Sequence, residues 1–316
     1  MGLYSQTYQS SKARGFTNQG GMVMMERYCM KRMGEFVVGG MVLFSLSIAG
    51  TSQLGAENVK NEEGIVMVTQ ENGSIDWSNG IVQATGMGFP NTALGNARLA
   101  EEGAKRAATV VARRNLLEIV QGIVVDSHTV VKNFMVEQDI IHNKVQGIVK
   151  NSQVVKEERL PDGGYRVTLQ MSLKGELSSL VVPSRRSKPV PQFEANSANI
   201  HDLVYSGLII NAQGLLLNEA LNPKILMEDG RVVYGSEWMD PAIVGKESVV
   251  GYVRGVKAAQ THSRVISNPL VVKAIRVAGD NKTDLVISDE DAKLLHIVPE
   301  HMEFLEKAKV LVVLDR

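Results

Sequence analysis

The sequence predicts an α+β protein: an antiparallel sheet packed by one long helix, followed by a second, smaller α+β domain. Three observations predict this class. Residues 91–122 form the longest uninterrupted helical pattern in the chain, and strand and turn signals flank it on both sides. A Pro-rich basic segment at 183–198 then precedes a second group of strand and helix patterns.

Composition is that of a globular protein with about two domains. The chain has 316 residues, of which 44% are hydrophobic and 22% charged. Lys plus Arg and Asp plus Glu both number 34, so no overall basic field indicates a nucleic-acid partner. Aromatic residues make up only 5%, which argues against an aromatic surface for carbohydrate or single-stranded nucleic acid.

Residues 1–56 read as a leader, an over-extended start followed by a signal peptide at about 31–56. Lys31 and Arg32 precede an apolar run at 36–50, and small residues follow up to Ala56. The leader carries five Lys or Arg and two Glu, or +3. The expected outcome is cleavage after Ala56 and export to the periplasm or outer envelope. The alternatives are an uncleaved anchor, which would give membrane association, and a buried core helix.

The sole cysteine, Cys29, lies before the apolar run of this leader. A lipoprotein needs its lipidated Cys just after that run, so lipid anchoring is disfavoured. The body of the chain has no Cys, which excludes disulfides and Cys-ligated metals there.

The first body domain is predicted at 75–182, after a disordered segment at 57–74. Residues 74–77 and 81–85 flank Asn79-Gly80, a strong hairpin signal. Gly86 to Pro90 is expected to break the second strand and deliver the chain to the helix.

The long helix is expected from Asn91 to Gly122, capped by Asn91 or Thr92, with Gly122 at the C′ position. Small and apolar residues three and four apart predict one buried stripe that lies close to a sheet. Its members are Ala97, Ala100, Ala104, Ala107, Ala108, Val111, Ala112, Leu116 and Ile119.

After this helix, residues 123–131 read as extended, 137–145 as a short helix, and 147–159 and 165–173 as two strands. The turn at 161–164 joins the two strands into a hairpin. In the second strand Tyr165, Val167, Leu169, Met171 and Leu173 alternate with polar residues, which predicts one buried face.

The pieces at 112–127, 145–150 and 162–167 carry a resemblance. Together with the Ala-rich helix, their order resembles the twenty-kilodalton membrane-associated lipoprotein family and is similar to the N-terminal domain of flagellar assembly protein T. The resemblance covers about a third of the chain. It implies an exported bacterial envelope protein without known catalysis, often lipid-anchored or attached to a larger assembly. This chain departs from the family in lacking the lipidated Cys.

Arg113, Arg114 and Asn115 are the candidate binding residues, as a patch beside the helix end. The alternative is that the cations complement the helix dipole in water. Asn115 could instead be a buried polar residue that hydrogen-bonds the sheet.

The segment at 183–198 is predicted to be a stiff linker, because it contains three prolines and three bases within 183–191. The second domain is predicted at 199–316. Its expected strands are 206–214, the hairpin 224–227 with 231–234, then 268–279, 283–287 and 310–314. Short helices are expected at 240–246 and 256–261, with a further helix starting at 288–291 in a capping-box-like spacing.

The sequence offers no catalytic, cofactor-binding or metal-ligating residues. The six histidines make no His-x-x-x-His or His-Glu-x-x-His spacing, and there is no P-loop or Gly-x-Ser-x-Gly motif. Gly86-x-Gly88 does not fit a dinucleotide fingerprint. The acids at 284–291 lack the alternation of a calcium loop.

Three hypotheses follow from these patterns. The first is a non-enzymatic envelope protein that binds a protein partner or an envelope surface. The second is an envelope hydrolase with its site in the second domain, which a cleft with converging carboxylates or a His–carboxylate pair would favour. The third is a flagellar-base component, which the resemblance alone suggests. An exposed apolar groove or sheet edge would favour the first.

Overall fold

The computed structural model describes residues 64–184, 204–265, 267–297 and 299–315. All of them belong to one compact unit, Asn58–Arg316. The predicted leader, most of the predicted linker, and residues 57–63 of the predicted disordered segment lie outside the described residues. The α+β class is confirmed, with one long helix packed on an antiparallel sheet and a second set of sheets after it.

The first sheet has five antiparallel strands in the order β1-β2-β3-β5-β4. They are β1 (Met67–Gln70), β2 (Gly73–Asp76), β3 (Ile81–Gly88), β4 (Gln153–Arg159) and β5 (Tyr165–Ser172). Both predicted hairpins are present, and β5 alternates as expected.

Strand β1 lies within the segment that was predicted to be disordered, and for these residues the prediction was wrong. Each residue of β1 pairs with one of β2, and the buried Val66 just before it accepts a hydrogen bond from the Trp77 amide. Long-range pairing therefore orders the part of the segment that carries the apolar run from Ile65 to Val68, between polar stretches on either side.

Four helices accompany this sheet: α1 (Ala97–Gly122), α2 (Val131–Glu137), α3 (Asp139–Lys150) and α4 (Glu176–Val181). Helix α1 begins six residues later than predicted. Asn91 caps a separate 3-10 turn at Thr92–Leu94, Gly95 then takes a left-handed φ of 64°, and the Asn96 side chain accepts from the Leu99 amide at the true start. Gly122 is the last helical residue rather than the C′ position.

The predicted close helix–sheet contact is present, and two glycines in β3 make it possible. A Cβ added at Gly86 would lie 2.2 Å from the Ala112 nitrogen, and one at Gly88 would lie 2.1 Å from the Ala104 oxygen. The two backbones therefore touch without side chains between them. Gly86 and Gly88 do not break the strand as predicted, since both belong to β3. Of the predicted stripe, Ala97 and Ala107 are exposed and Val111 is half-buried.

Several shorter predictions in this half were wrong. Residues 123–131 form only an isolated bridge, between Val124 and Val130, around a bend. Helix α2 starts where strand was expected, and α3 continues through 147–150, so β4 starts at Gln153. Residues with β-branched side chains are helical there because Val131, Val145 and Val149 are buried on the inner faces of their helices.

The second half contains two four-stranded sheets. Their strands are β6 (Gly207–Asn211), β7 (Ile225–Leu226), β8 (Val232–Tyr234), β9 (Gly251–Arg254), β10 (Pro269–Lys273), β11 (Arg276–Ala278), β12 (Asp284–Val286) and β13 (Val310–Leu314). One sheet, β10-β6-β13-β9, is entirely parallel, and the other, β11-β12-β7-β8, is mixed. The helices are α5 (Val256–Gln260), α6 (Asp289–Ile297) and α7 (Pro299–Glu306).

The structure corrects two further predictions here. Residues 240–246 form turns without an α-helix, and 268–279 forms two strands in different sheets, with Ala274 and Ile275 between them. The predicted capping at 288–291 is present, since the Ser288 hydroxyl accepts from the Asp291 amide at 3.1 Å.

The two halves share one hydrophobic core. The Ser78 hydroxyl donates to the Tyr252 carbonyl oxygen at 2.8 Å, and the rings of Trp77 and Tyr252 meet edge to face at 5.8 Å. The Leu221 amide also donates to the Val124 carbonyl. Among the described residues no helix is both long and apolar enough to span a bilayer.

Candidate functional site

The face of α1 that points away from the sheet carries a surface pattern with helical spacing. Seven residues three or four apart occupy it, and we call them the outward stripe: Leu99, Gly103, Arg106, Val110, Arg114, Leu117 and Gln121. The first five are exposed and the last two half-buried.

The outward stripe combines apolar surface with positive charge. Leu99 is 56% exposed and Val110 is 63% exposed, although both are large and apolar. Arg106 and Arg114 stand eight residues apart, about 12 Å along the axis, and the stripe contains no acid. A solvated helix face normally mixes both signs of charge and keeps few large apolar residues, so this face has the composition of a binding surface.

At the C-terminal half of α1 the outward stripe borders a groove of about 500 Å³. The second wall comes from Val130 and Lys132, where the chain returns into α2. The groove is lined by Arg114, Leu117, Glu118, Gln121, Gly122, Val130 and Lys132. Two cations, one carboxylate and two apolar side chains suit it to a ligand with an apolar part and a negative charge.

The structure does not bring the three predicted site residues together. Arg114 lines the groove, while Asn115 is buried and its amide nitrogen donates to the Thr85 carbonyl in β3 at 2.7 Å. Arg113 is half-buried and does not line the groove. Its buried Nε makes no hydrogen bond with the described residues. Consecutive helical residues point about 100° apart, so a run of three cannot share a face.

Sequence reasoning missed most of the stripe and both residues of the second wall. The spacing of Leu99, Val110 and Leu117 would have revealed the stripe, had the residues outside the Ala stripe been tested for periodicity. The local sequence pattern does not predict the positions of Val130 and Lys132, because the turn after α1 determines them.

A second cavity of about 380 Å³ lies at the start of α1, between Asn96, Glu101, Arg159 and Tyr165. The Tyr165 hydroxyl donates to the Glu101 carboxylate, and the Lys105 ammonium lies 5.2 Å from the Tyr165 ring centre. The Tyr165 hydroxyl and the Glu101 carboxylate of this cavity are therefore paired with each other.

Acid–base candidates lie apart from both cavities. The His128 Nδ1 and Asp280 Oδ2 atoms are 3.1 Å apart, but their side chains are 68% and 88% exposed, so water screens the pair. Burial raises the pKa of Asp284 and of Glu219. Burial lowers the pKa of His296 to about 4, and this ring hydrogen-bonds the Val233 carbonyl.

Hydrogen bonds within the fold hold the Asp284 side chain in place. Its carboxylate accepts from the Lys224 amide at 3.0 Å and the Thr283 hydroxyl at 3.3 Å. In the described segments, no three His, Cys, Asp or Glu side chains are grouped so that they could hold a metal ion.

The comparisons with known proteins concern the second half. A search of curated proteins returns no match. A family model described as Treponema pallidum Tp0624, second domain, matches residues 207–316. The match starts at the first residue of β6, so it covers the parallel and mixed sheets and does not include α1. Residues 207–316 are therefore similar to the second domain of Treponema pallidum Tp0624.

Proposed function

We propose that the protein is an exported, non-enzymatic component of the bacterial envelope that binds a protein partner through the outward stripe of α1 and its groove. The observation that carries the proposal is the stripe, which combines exposed Leu99 and Val110 with Arg106 and Arg114. The five-stranded sheet and the shared core hold α1 rigidly from behind, so the surface is formed before the partner arrives.

Export is supported by the leader pattern at about 31–56, and envelope attachment by the resemblance of the first half to the lipoprotein family. The similarity to the N-terminal domain of flagellar assembly protein T supports one narrower version, in which the partner belongs to the flagellar base. An envelope hydrolase has less support, since the exposed His128–Asp280 pair is not held in a cleft.

The proposal is tested by fractionating cells of the native host and sizing the protein in the envelope fraction by native electrophoresis. We expect the wild type in a complex larger than one chain, and Val110→Glu with Arg114→Glu should release it. The matched control is Ile140→Glu, because Ile140 is 69% exposed on α3 and belongs neither to the stripe nor to the groove lining. A free monomer for the wild type, or equal release by the control, would contradict the proposal.

A further inference from the structure

The outward stripe has a spacing that fits another helix. Its members recur every three or four residues from Leu99 to Gln121, a length of about 33 Å. Gly103 has open space around its Cβ position, with no atom within 4 Å, and lies one turn from Leu99 and two turns from Val110. A small residue between larger ones leaves the kind of hole into which a side chain of a crossing helix packs.

The positive charge of the outward stripe favours a partner helix that carries negative charge. Arg106 and Arg114 are both exposed, and Lys132 adds a third cation across the groove. The acid that lines the groove is Glu118. A second copy of α1 would bring arginine to arginine, which disfavours self-association.

We propose that the occupant of the outward stripe is an acidic amphipathic helix of a protein partner. Acids about eight residues apart on that helix would face Arg106 and Arg114. An apolar side chain between the acids would meet Val110, and one placed beyond the acid that faces Arg114 would enter the groove against Leu117 and Val130. This inference rests on the proposed function and specifies the chemistry of its partner.

The test uses two designed helical peptides of about 21 residues that differ only in charge. Both have Leu at the apolar heptad positions, with Glu at the flanking positions in one and Lys in the other. Binding to the full chain is measured by fluorescence anisotropy. We expect the Glu peptide to bind at least about tenfold more tightly, and this preference should weaken as salt rises.

Variants distinguish peptide binding at the outward stripe from attraction to charge elsewhere on the protein surface. Arg106→Glu with Arg114→Glu should abolish or reverse the preference, whereas Lys144→Glu, at an exposed position of α3, should leave it unchanged. Circular dichroism checks that the variants keep their fold. Equal binding of both peptides, or a preference that survives the double variant, would overturn the inference.

Two further outcomes would also overturn it. One is binding to phosphatidylglycerol vesicles through Arg106 and Arg114 without peptide discrimination, which would identify a membrane surface. The other is a dimer in sedimentation that Val110→Glu dissociates, which would identify a second copy. If the native complex still depends on Val110 while the peptides bind equally, the proposed function stands and only the helical acidic partner is wrong.

Discussion

At the scale of single residues, Asn115 shows how a polar side chain in a run of arginines serves the fold. Its amide nitrogen reaches the Thr85 carbonyl at 2.7 Å, in a contact that is otherwise apolar. Asn115→Ala should lower the free energy of unfolding by about 1–3 kcal/mol, because the partly buried Thr85 carbonyl loses its donor. Urea denaturation measures this.

The neighbouring Arg114→Ala is the control for that variant. Arg114 is exposed, so its truncation should change stability by less than about 0.5 kcal/mol. Equal losses from the two substitutions would show that Asn115 does not support the sheet as described.

His296 predicts a pH dependence of stability. Burial holds its folded pKa at about 4, against an ordinary value of 6.5. Between these values the unfolded chain binds more protons than the folded one. The stabilising contribution is therefore complete above pH 6.5 and is lost as the pH falls toward 4. His296→Gln should make the free energy of unfolding less dependent on pH in this window, as measured by urea titrations at several pH values.

The difference between wild type and His296→Gln in the pH dependence of stability reports on His296 and not on the buried acids. Asp284 and Glu219 have raised pKa values, so they act with the opposite sign and add stability as the pH falls. Both acids are present in the wild type and in His296→Gln, so their contributions cancel in the difference between the two free energies of unfolding. A wild-type profile that matches the variant between pH 6.5 and 4 would contradict the account of His296.

At the scale of elements, the contact of α1 with β3 depends on alanines facing glycines. Ala108 is fully buried there, whereas the adjacent Ala107 points about 100° away and is exposed. Ala108→Leu should destabilise the protein by about 1–3 kcal/mol through overpacking, and Ala107→Leu by less than about 0.5 kcal/mol. Thermal or urea denaturation compares this matched pair, and equal stability would show that the helix does not lie on the sheet.

Sequence patterns predicted this element well in its middle and at its C-terminal end, and poorly at its start. The Ala stripe predicted a close sheet contact because helical periodicity is a local property. The start was misplaced because Asn91 and Asn96 are both good caps, and only the left-handed turn at Gly95 decides between them. The candidate site was predicted only at Arg114, since its second wall depends on the turn that follows α1.

At the scale of the whole molecule, the two predicted domains fold against each other. Contacts such as Val124 with Leu221 join positions far apart in sequence, and no local pattern predicts them. The chain has two tryptophans, Trp77 in the first half and Trp238 in the second. A shared core predicts that both halves unfold together.

Single-tryptophan variants test this cooperativity. Trp77→Phe leaves Trp238 to report on the second half, and Trp238→Phe leaves Trp77 to report on the first. For each variant, the urea midpoint from fluorescence should equal that from circular dichroism of the whole chain. A fluorescence transition separate from the circular dichroism transition in either variant would mean that the halves are independent domains.

The central claim, that α1 presents its outward stripe to a protein partner, is tested most directly by photo-cross-linking in the native host. A photoreactive phenylalanine analogue replaces Val110 in one strain and Ile140, which is 69% exposed on α3, in another. We predict a discrete cross-linked protein from position 110, and none from 140, with the cross-linked segment identified by mass spectrometry. No cross-link at 110, or the same products at both positions, would contradict the account.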